Sequence, residues 1–172
     1  MENSAYISEV DENESSSIDE NKYIIFRLGN EIYGTRLLDI REVVEELPIK
    51  TIPNTCSSFM GVCNLRGQII GVIDLRVKFG VTPPIQDRPI LLVYETESGT
   101  IAAKIDEIIS VSVILPLEIE RKAKIVTNVP STYIEGIGKL DKHLITIMKL
   151  REILSTEEFT EVNDSKILAK AI

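Results

Sequence analysis

Basic residues are too few in this sequence to balance the acidic ones. Nineteen Lys and Arg residues stand against 27 Asp and Glu residues, which gives a formal net charge of -8. A protein that binds the phosphate backbone of nucleic acid needs a net-basic patch to displace counterions. The composition therefore predicts no nucleic-acid partner.

Long apolar runs are also lacking. None approaches the length of a membrane span, and the polar N-terminus has neither the basic start nor the apolar stretch of a secretion signal. We therefore expect a cytoplasmic protein without direct membrane insertion.

Residues that commonly hold metals or perform catalysis are scarce, since the chain has two cysteines, Cys56 and Cys63, and one histidine, His143. This set suggests neither a zinc site nor a disulfide framework, and His143 lies in a predicted turn. The nine glycines are scattered at predicted turns and form no phosphate-binding motif at a helix start. We therefore predict no enzyme activity, no metal and no cofactor.

Carboxylates are abundant, and any two could be proposed as an acid-base pair. A chain with 27% charged residues supplies such pairs by chance. We interpret the clusters Asp106-Glu107 and Glu118 with Glu120 as exposed strand faces or loops. The alternative from a different class is a small enzyme whose carboxylates act in a cleft, which would require perturbed acid groups.

The sequence does have a large aliphatic content. Hydrophobic residues make up 44% of the 172, which is enough for one compact domain. The first 20 residues differ, because they combine acidic residues with the run Ser15-Ser16-Ser17 and have no basic residue. We expect residues 1–20 to be a disordered acidic tail.

The first half of the chain predicts two hairpins. The segments Tyr23-Ile24-Ile25-Phe26-Arg27-Leu28 and Glu31-Ile32-Tyr33-Gly34 flank the turn Gly29-Asn30 and indicate the first. Apolar residues between 37 and 44 have mixed three- and four-residue spacings, which favours a short amphipathic helix. The stretch from Gly61 to Leu75 predicts the second hairpin, followed by a short helix that ends at Gly80.

The second half predicts further strands. One runs from Pro89 to Tyr94, and its expected partner begins after Glu97-Ser98-Gly99. Two alternating sets indicate half-buried strands: Ile101, Ala103, Ile105 and Val111, Val113, Leu115. The segment from Ile145 to Leu150 predicts a closing strand. Helical or fraying segments are expected at Arg151 to Phe159 and Ser165 to Ala171.

A weak internal repeat relates the two halves. Gly61 to Phe79 aligns without a gap onto Gly136 to Leu154, with matched glycine, leucine and arginine positions. Repeated short strands without long crossover helices indicate a mainly β fold of two small barrels around a shared core. We place the first barrel at about 21–80 and the second at about 81–150. Residues 160–172 are expected to form a partly helical C-terminal tail.

The segment GVCNLRGQIIGVIDLRVKFG at Gly61 to Gly80 resembles the signature of CheW-like domains, G-V-x-N-L-R-G-x-[IV]-[IV]-P-[IV]-[IV]-D-L-R-x-[KR]-F. Leu38 to Val43 resembles the family's V-x-E-[IV] helix segment, and Tyr133 to Gly138 its closing motif. The resemblance covers about Tyr23 to Phe159, within a predicted domain of 21–159. Gly71 departs from it, since the family usually has proline there, and we expect no change of role.

The resemblance implies two five-stranded SH3-like barrels and an adaptor that couples chemoreceptors to the histidine kinase CheA. A groove between the barrels would bind the helical tip of the receptor's cytoplasmic hairpin. The receptor-facing candidates carried over by position are Ile40, Glu42, Val43, Gly61, Asn64, Leu65 and Arg66. Arg66 could instead pair with Glu42, Gly61 could serve the backbone, and Leu65 could belong to the core.

Chain length favours a free-standing adaptor, because too few residues flank the domain for kinase or receiver domains. It is expected to be monomeric alone and to assemble in receptor arrays at the inner face of the membrane. Residues that contact the regulatory domain of the kinase are not assigned, although we expect them within residues 88–150. A CheW-like adaptor of another receptor-kinase pathway remains an alternative.

Overall fold

The computed structural model describes residues 19–45, 47–81, 90–97, 99–121, 127, 129–154 and 156–170. The predicted acidic tail lies outside the described residues except for Asp19 and Glu20.

Strands dominate the described chain, as the sequence predicts. The strands are β1 (Lys22–Leu28), β2 (Glu31–Arg36), β3 (Ile40–Glu45), β4 (Phe59–Leu65), β5 (Gln68–Asp74), β6 (Ile90–Thr96), β7 (Gly99–Ile105), β8 (Glu107–Val113), β9 (Ile119–Glu120), β10 (Ile134–Leu140) and β11 (His143–Met148). The helices are α1 (Leu75–Lys78) and α2 (Thr156–Lys170), with 3-10 turns at Leu37–Asp39, Pro116–Glu118, Ser131–Tyr133 and Leu150–Glu152.

The strands form two sheets. One has six strands in the order β8-β1-β2-β11-β10-β9, and the other has five in the order β3-β6-β7-β5-β4. Most neighbours are antiparallel, but β2 pairs with β11 and β5 pairs with β7 in parallel. The prediction of a mainly β fold with short helices is confirmed, whereas one of the two sheets has six strands rather than the expected five. Closure of each sheet into a barrel stays a prediction.

The predicted repeat is a structural repeat. Strands β4 and β5 match β10 and β11 element by element, and α1 matches the turn at Leu150–Glu152. Both hairpins shift register at the equivalent place, between Phe59 and Gly61 in one and between Ile134 and Gly136 in the other. Matched residues therefore fold into matched backbone.

The two halves of the chain exchange strands. In the six-stranded sheet, β1 and β2 from the first half pair with β8 and β11 from the second. In the five-stranded sheet, β6 and β7 from the second half pair with β3 and β5 from the first. The predicted division near residue 80 therefore falls between the two repeat hairpins in sequence, whereas each sheet contains strands from both halves.

Three apolar clusters hold this arrangement together. The largest lies between the sheets and includes Phe26, Tyr33, Leu92, Tyr94 and Leu150, all buried. A second cluster belongs to the five-stranded sheet and a third to the six-stranded sheet. Because the shared cluster takes side chains from both sheets, neither sheet buries its apolar surface without the other.

The predicted amphipathic helix between residues 37 and 44 is wrong. A 3-10 turn at Leu37–Asp39 leads directly into β3, which pairs with β6. A bulge between Ile40 and Glu42 interrupts the ladder. The β-branched residues Ile40, Val43 and Val44 favour a strand. Over so short a segment, the spacing of apolar residues does not distinguish a helix from a strand with a bulge.

The predicted half-buried strands were right in position and partly wrong in orientation. Strand β7 is buried on both faces over Thr100 to Ala103, because Ile101 and Ala103 pack in the shared cluster and Ala102 packs in the cluster of the five-stranded sheet. Strand β8 alternates, but Val111, Val113 and the following Leu115 lie on the exposed side. Alternation fixes which residues share a face but not which face is buried.

The C-terminal predictions also need adjustment. The closing strand β11 ends at Met148, two residues earlier than predicted, and a 3-10 turn begins at Leu150. The two predicted helical segments overlap a single helix, α2, which begins at Thr156, whereas Arg151 and Glu152 belong to the preceding 3-10 turn. The predicted C-terminal tail at 160–172 is thus largely the second part of that helix.

Candidate functional site

Strand β3 is an edge of the five-stranded sheet as described, and it carries three of the predicted receptor-facing residues. Ile40 is half-buried and packs against the shared core. Glu42 is half-buried, whereas Val43 is 44% exposed. Of these three residues, Val43 is the apolar side chain that is most open to a partner.

The turn between β4 and β5 carries three more of the predicted residues. Leu65 pairs with Gln68 across a two-residue turn in which Arg66 and Gly67 both have positive φ, 52° and 88°. This conformation suits a tight hairpin and is easy for glycine. Asn64 Oδ1 accepts a hydrogen bond from the Gly67 backbone N–H at 2.7 Å. Asn64 therefore shapes the turn and remains exposed.

An ion pair joins the turn to the edge strand. Arg66 Nη2 lies 2.9 Å from Glu42 Oε2, so the suggested Arg66–Glu42 pairing is present. The Arg66 side chain is nevertheless 79% exposed, whereas that of Glu42 is 18% exposed. An ion pair this open adds little stability, about 0–1 kcal/mol. The pair with Glu42 holds the Arg66 side chain next to β3, and the remaining guanidinium N–H groups still point toward solvent.

Two of the predicted contact residues lie inside the molecule. Gly61 is buried in β4 with φ +133°, and a Cβ there would lie 2.1 Å from the Lys50 carbonyl oxygen. Leu65 belongs to the core of the five-stranded sheet. Both residues support the fold, so the alternatives of a backbone requirement for Gly61 and a core position for Leu65 describe them better than surface contacts do.

Behind the exposed turn lies a polar network centred on Thr100, which is buried at the start of β7. Its hydroxyl accepts from Gln68 Nε2 at 2.9 Å and from Arg41 Nη1 at 3.3 Å, and donates to Glu95 Oε1 at 2.7 Å. Lys166 Nζ donates to the Thr100 carbonyl oxygen at 3.0 Å. We call this set the Thr100 network. Arg41 precedes Glu42 and Gln68 follows the Arg66–Gly67 turn, so the network ties both parts of the candidate surface to the sheet.

A second exposed surface was missed by sequence reasoning. Strand β8 is an edge of the six-stranded sheet, and it directs Ile109, Val111 and Val113 toward solvent. An edge strand with an apolar row is a common place for a protein partner to bind. The alternation that could have revealed this row was visible in the sequence, but it was interpreted only as a half-buried strand.

A buried charge cluster connects the two halves of the chain. Arg76 pairs with Asp74 at 2.6 Å and with Asp106 at 3.0 Å, and Asp106 Oδ2 accepts from the Gly29 backbone N–H at 2.6 Å. Burial alone would raise the pKa of Asp74, but hydrogen bonds and charge from Arg76 outweigh burial and lower that pKa. The prediction that Asp106 belongs to an exposed face is wrong, since its side chain is fully buried.

The histidine and the two cysteines differ in their exposure. His143 is exposed at the start of β11. Cys63 is buried, and burial raises the pKa of its thiol, which favours the unreactive protonated form. Cys56 is half-buried. In the part of the chain that the structure describes, no group of three or more His, Cys, Asp or Glu side chains is arranged to hold a metal ion.

None of the described helices is both long enough and apolar enough to cross a bilayer. The longest, α2, carries several charged residues along its length.

Two sheets that share a core, exposed residues on their edge strands and an accessible arginine held by an ion pair define a small, mainly β domain with surface open to a protein partner. The chain belongs to the CheW-like domain family, whose model matches residues 22–158. It is 29% identical over 146 residues to the chemotaxis protein CheW of Klebsiella aerogenes, covering 83% of this chain and 87% of that one. It is 31% identical over 138 residues to the chemotaxis protein CheW of Helicobacter pylori, covering 79% of this chain and 82% of that one.

A solved structure agrees with this assignment. The crystal structure of the scaffolding protein TtCheW from Thermoanaerobacter tengcongensis matches with a TM-score of 0.74 at 31% sequence identity. The match covers 81% of this chain and 95% of that one. Sequence and fold therefore place the chain in the same family.

Proposed function

We propose that the chain is a non-enzymatic chemotaxis adaptor that couples chemoreceptors to the histidine kinase CheA. The observation that carries the proposal is the Glu42–Arg66 pair, which brings the edge strand β3 and the β4–β5 turn into one accessible surface. The relatives named as chemotaxis proteins and the scaffolding protein of similar fold support the assignment. By this function the protein acts in the cytoplasm, held at receptor arrays.

The receptor-facing surface consists of Val43, Asn64 and Arg66, with Ile40 and Glu42 supporting it from β3. Val43 supplies an apolar contact for one face of a receptor helix, and Arg66 supplies charged donors at the rim of the surface. The exposed row on β8, made of Ile109, Val111 and Val113, offers a further apolar face to a helical partner.

The kinase-facing surface is assigned to the far edge of the six-stranded sheet. Leu117 and Leu144 are 86% and 64% exposed and line one depression together with Ile137 and Lys139. All of these residues lie within 88–150, where kinase contacts are expected. A coupler needs two surfaces that its partners can occupy together, and this depression involves none of the receptor-facing residues.

Coprecipitation with a purified receptor cytoplasmic hairpin and CheA tests the proposal. We expect the wild-type chain to join both partners in one complex. Arg66→Glu and Val43→Asp should lose the receptor and keep the kinase, and Leu144→Asp should do the reverse. Lys142→Glu changes a charge in the repeat-related turn and serves as the matched control, because it should keep both partners.

Circular dichroism and thermal unfolding establish that each variant is folded before binding is compared. Failure of the wild-type chain to bind either partner would contradict the adaptor function. Loss of both partners by folded Arg66→Glu would contradict the separation of the two surfaces.

A further inference from the structure

The C-terminal helix α2 lies across strands β4 and β5, the hairpin that carries the exposed arginine turn. One face of the helix is buried, at Glu158, Val162 and Ser165, with spacings of four and three residues. Asp164 and Ile167 on the same helix are exposed. The helix therefore docks through a single face, which combines an apolar centre at Val162 with polar contacts on either side.

Because Gly71 has no side chain, it leaves a gap in the surface of β5, which we call the Gly71 notch, and Val162 at the centre of the helix face fills it. A Cβ built at position 71 would lie 2.9 Å from Val162 Cγ1 and 3.1 Å from Phe59 Cε2. Val162 is fully buried. A side chain at position 71 would push the helix away from the strand, because two apolar atoms would occupy the same space.

The N-terminal half of the helix is fixed by charge. The Glu158 carboxylate accepts from Lys78 Nζ at 2.7 Å and from Ser58 Oγ at 2.7 Å. Glu161 Oε2 accepts from the Cys56 backbone N–H at 2.8 Å. The Lys78 and Glu158 side chains are largely buried, so separating them would leave uncompensated charges with little water.

The C-terminal half of the helix reaches the candidate receptor surface. Lys166 lies one turn beyond Val162, donates to the Thr100 carbonyl oxygen, and lines a depression together with Arg66 and Gln68. The Thr100 network holds Arg41 beside Glu42 and holds Gln68 beside the Arg66–Gly67 turn. Docking of α2 is thereby connected to both members of the Glu42–Arg66 pair.

We propose that α2 is a positioning element for receptor binding: seated in the Gly71 notch, it holds the Thr100 network and with it the Arg66 turn. The receptor part of this inference rests on the proposed adaptor function. Lys166 is the residue through which the helix acts on the surface, and Gly71 is the residue that allows the helix to dock.

Gly71→Ala and Val162→Ala, alone and combined, test the docking by amide hydrogen exchange. We expect Gly71→Ala to speed exchange of the α2 amides and of the Gly67 amide by about tenfold or more, as overpacking of a tight contact should. The double variant should recover most of the wild-type protection, because Val162→Ala removes both methyl groups that a new Cβ would meet and leaves Phe59 room to shift. Ile167→Ser, on the exposed face, should leave exchange unchanged.

Receptor and kinase binding provide the second readout. Lys166→Met keeps the helix docked but removes the hydrogen bond to Thr100, so it should weaken receptor affinity about threefold to tenfold, within the range of one ordinary hydrogen bond, because Lys166 acts on the surface indirectly. Kinase affinity should not change, which separates positioning from general loss of stability. If Gly71→Ala fails to fold, Lys166→Met still decides the inference.

Wild-type exchange rates in folded Gly71→Ala, or wild-type receptor affinity in Lys166→Met, would overturn the inference. Exchange in Gly71→Ala that the double variant does not rescue would also overturn it. If the wild-type chain bound no receptor, the proposed function would fail separately, and unchanged Gly67 exchange in Lys166→Met would then decide against the positioning role.

Discussion

The two hairpins of the internal repeat have the same backbone and different surroundings. Arg66 and Asp141 occupy the same place in their turns, with φ 52° and 53°. Leu75 and Leu150 are both fully buried after the second strand. Matched apolar and turn positions thus reproduce a hairpin whatever its charged residues are, since burial and turn geometry set the register.

Charge separates the two hairpins. After β5, Asp74 and Arg76 join Asp106 in a buried cluster, whereas the matched positions after β11 hold Lys149 and Arg151 near the surface. Gly71 and its counterpart Thr146 both pair in parallel with a strand from the other half of the chain, but Gly71 also receives helix α2. The first hairpin therefore combines buried ion pairs with a docked helix.

The largest expected difference concerns the matched arginines. Arg76→Ala leaves two buried carboxylates without their cation, so we expect a loss of about 3–5 kcal/mol in the free energy of unfolding. Arg151→Ala removes an exposed side chain 3.8 Å from Asp39 and should cost less than about 1 kcal/mol. Urea denaturation measures both, and similar losses from the two variants would contradict the assigned role of the buried cluster.

Substitution of the matched glycines, Gly61 and Gly136, should give the next largest difference in the free energy of unfolding. Gly61→Ala combines a positive φ with a Cβ 2.1 Å from the Lys50 carbonyl, and we expect a loss of about 3 kcal/mol or more. A Cβ at Gly136 would lie 2.8 Å from the Glu120 carbonyl oxygen, on the two-residue strand β9 at a sheet edge. The edge can yield more readily, so Gly136→Ala should lose about 1–2 kcal/mol. Thermal unfolding of both variants checks this order, and a larger loss from Gly136→Ala would reverse it.

The turn asparagine should have a smaller effect. Asn64→Ala removes the acceptor for the Gly67 N–H and should lower stability by about 1 kcal/mol. Its counterpart Lys139 is exposed, and Lys139→Ala should change stability by no more than about 0.5 kcal/mol. Equal effects in denaturant titrations would show that the Asn64 hydrogen bond does not shape its turn.

Acid should weaken both hairpins gradually. Burial would raise the pKa of Asp74 and Glu135, but their arginine partners outweigh it and lower both pKa values below the ordinary 3.8 and 4.5. A carboxyl with a depressed folded-state pKa stabilises the fold above its unfolded pKa and loses that contribution as pH falls. We expect the free energy of unfolding to fall from about pH 5 downward. Glu135→Gln should flatten that decline, and an unchanged slope would contradict a native role for the carboxylate.

Much of the fold was predictable because it depends on local patterns. The turns Gly29-Asn30 and Arg66-Gly67 between β-forming segments predict their hairpins, and the matched positions of the repeat predict the second pair. Strand β3 was not predictable in the same way, because its bulge removes the simple alternation. The exchange of strands between the two halves of the chain depends on packing of distant segments, which local patterns do not encode.

The candidate site, like the fold, was predictable from the sequence only in part. The Arg66–Glu42 pairing was available as an alternative from the resemblance, and the exposed positions of Val43, Asn64 and Arg66 agree with a contact surface. Burial of Asp106 and docking of α2 on Gly71 depend on residues far apart in the chain. Only the folded structure brings those residues together.

Hydrogen exchange of the wild-type chain with and without a saturating receptor cytoplasmic hairpin is the most direct test of the adaptor account. The account predicts protection of β3 and of the Arg66–Gly67 turn, with no protection at the repeat-related turn Asp141–Lys142. Protection at Asp141–Lys142 with none at Arg66–Gly67 would place the receptor on the other hairpin and contradict the account.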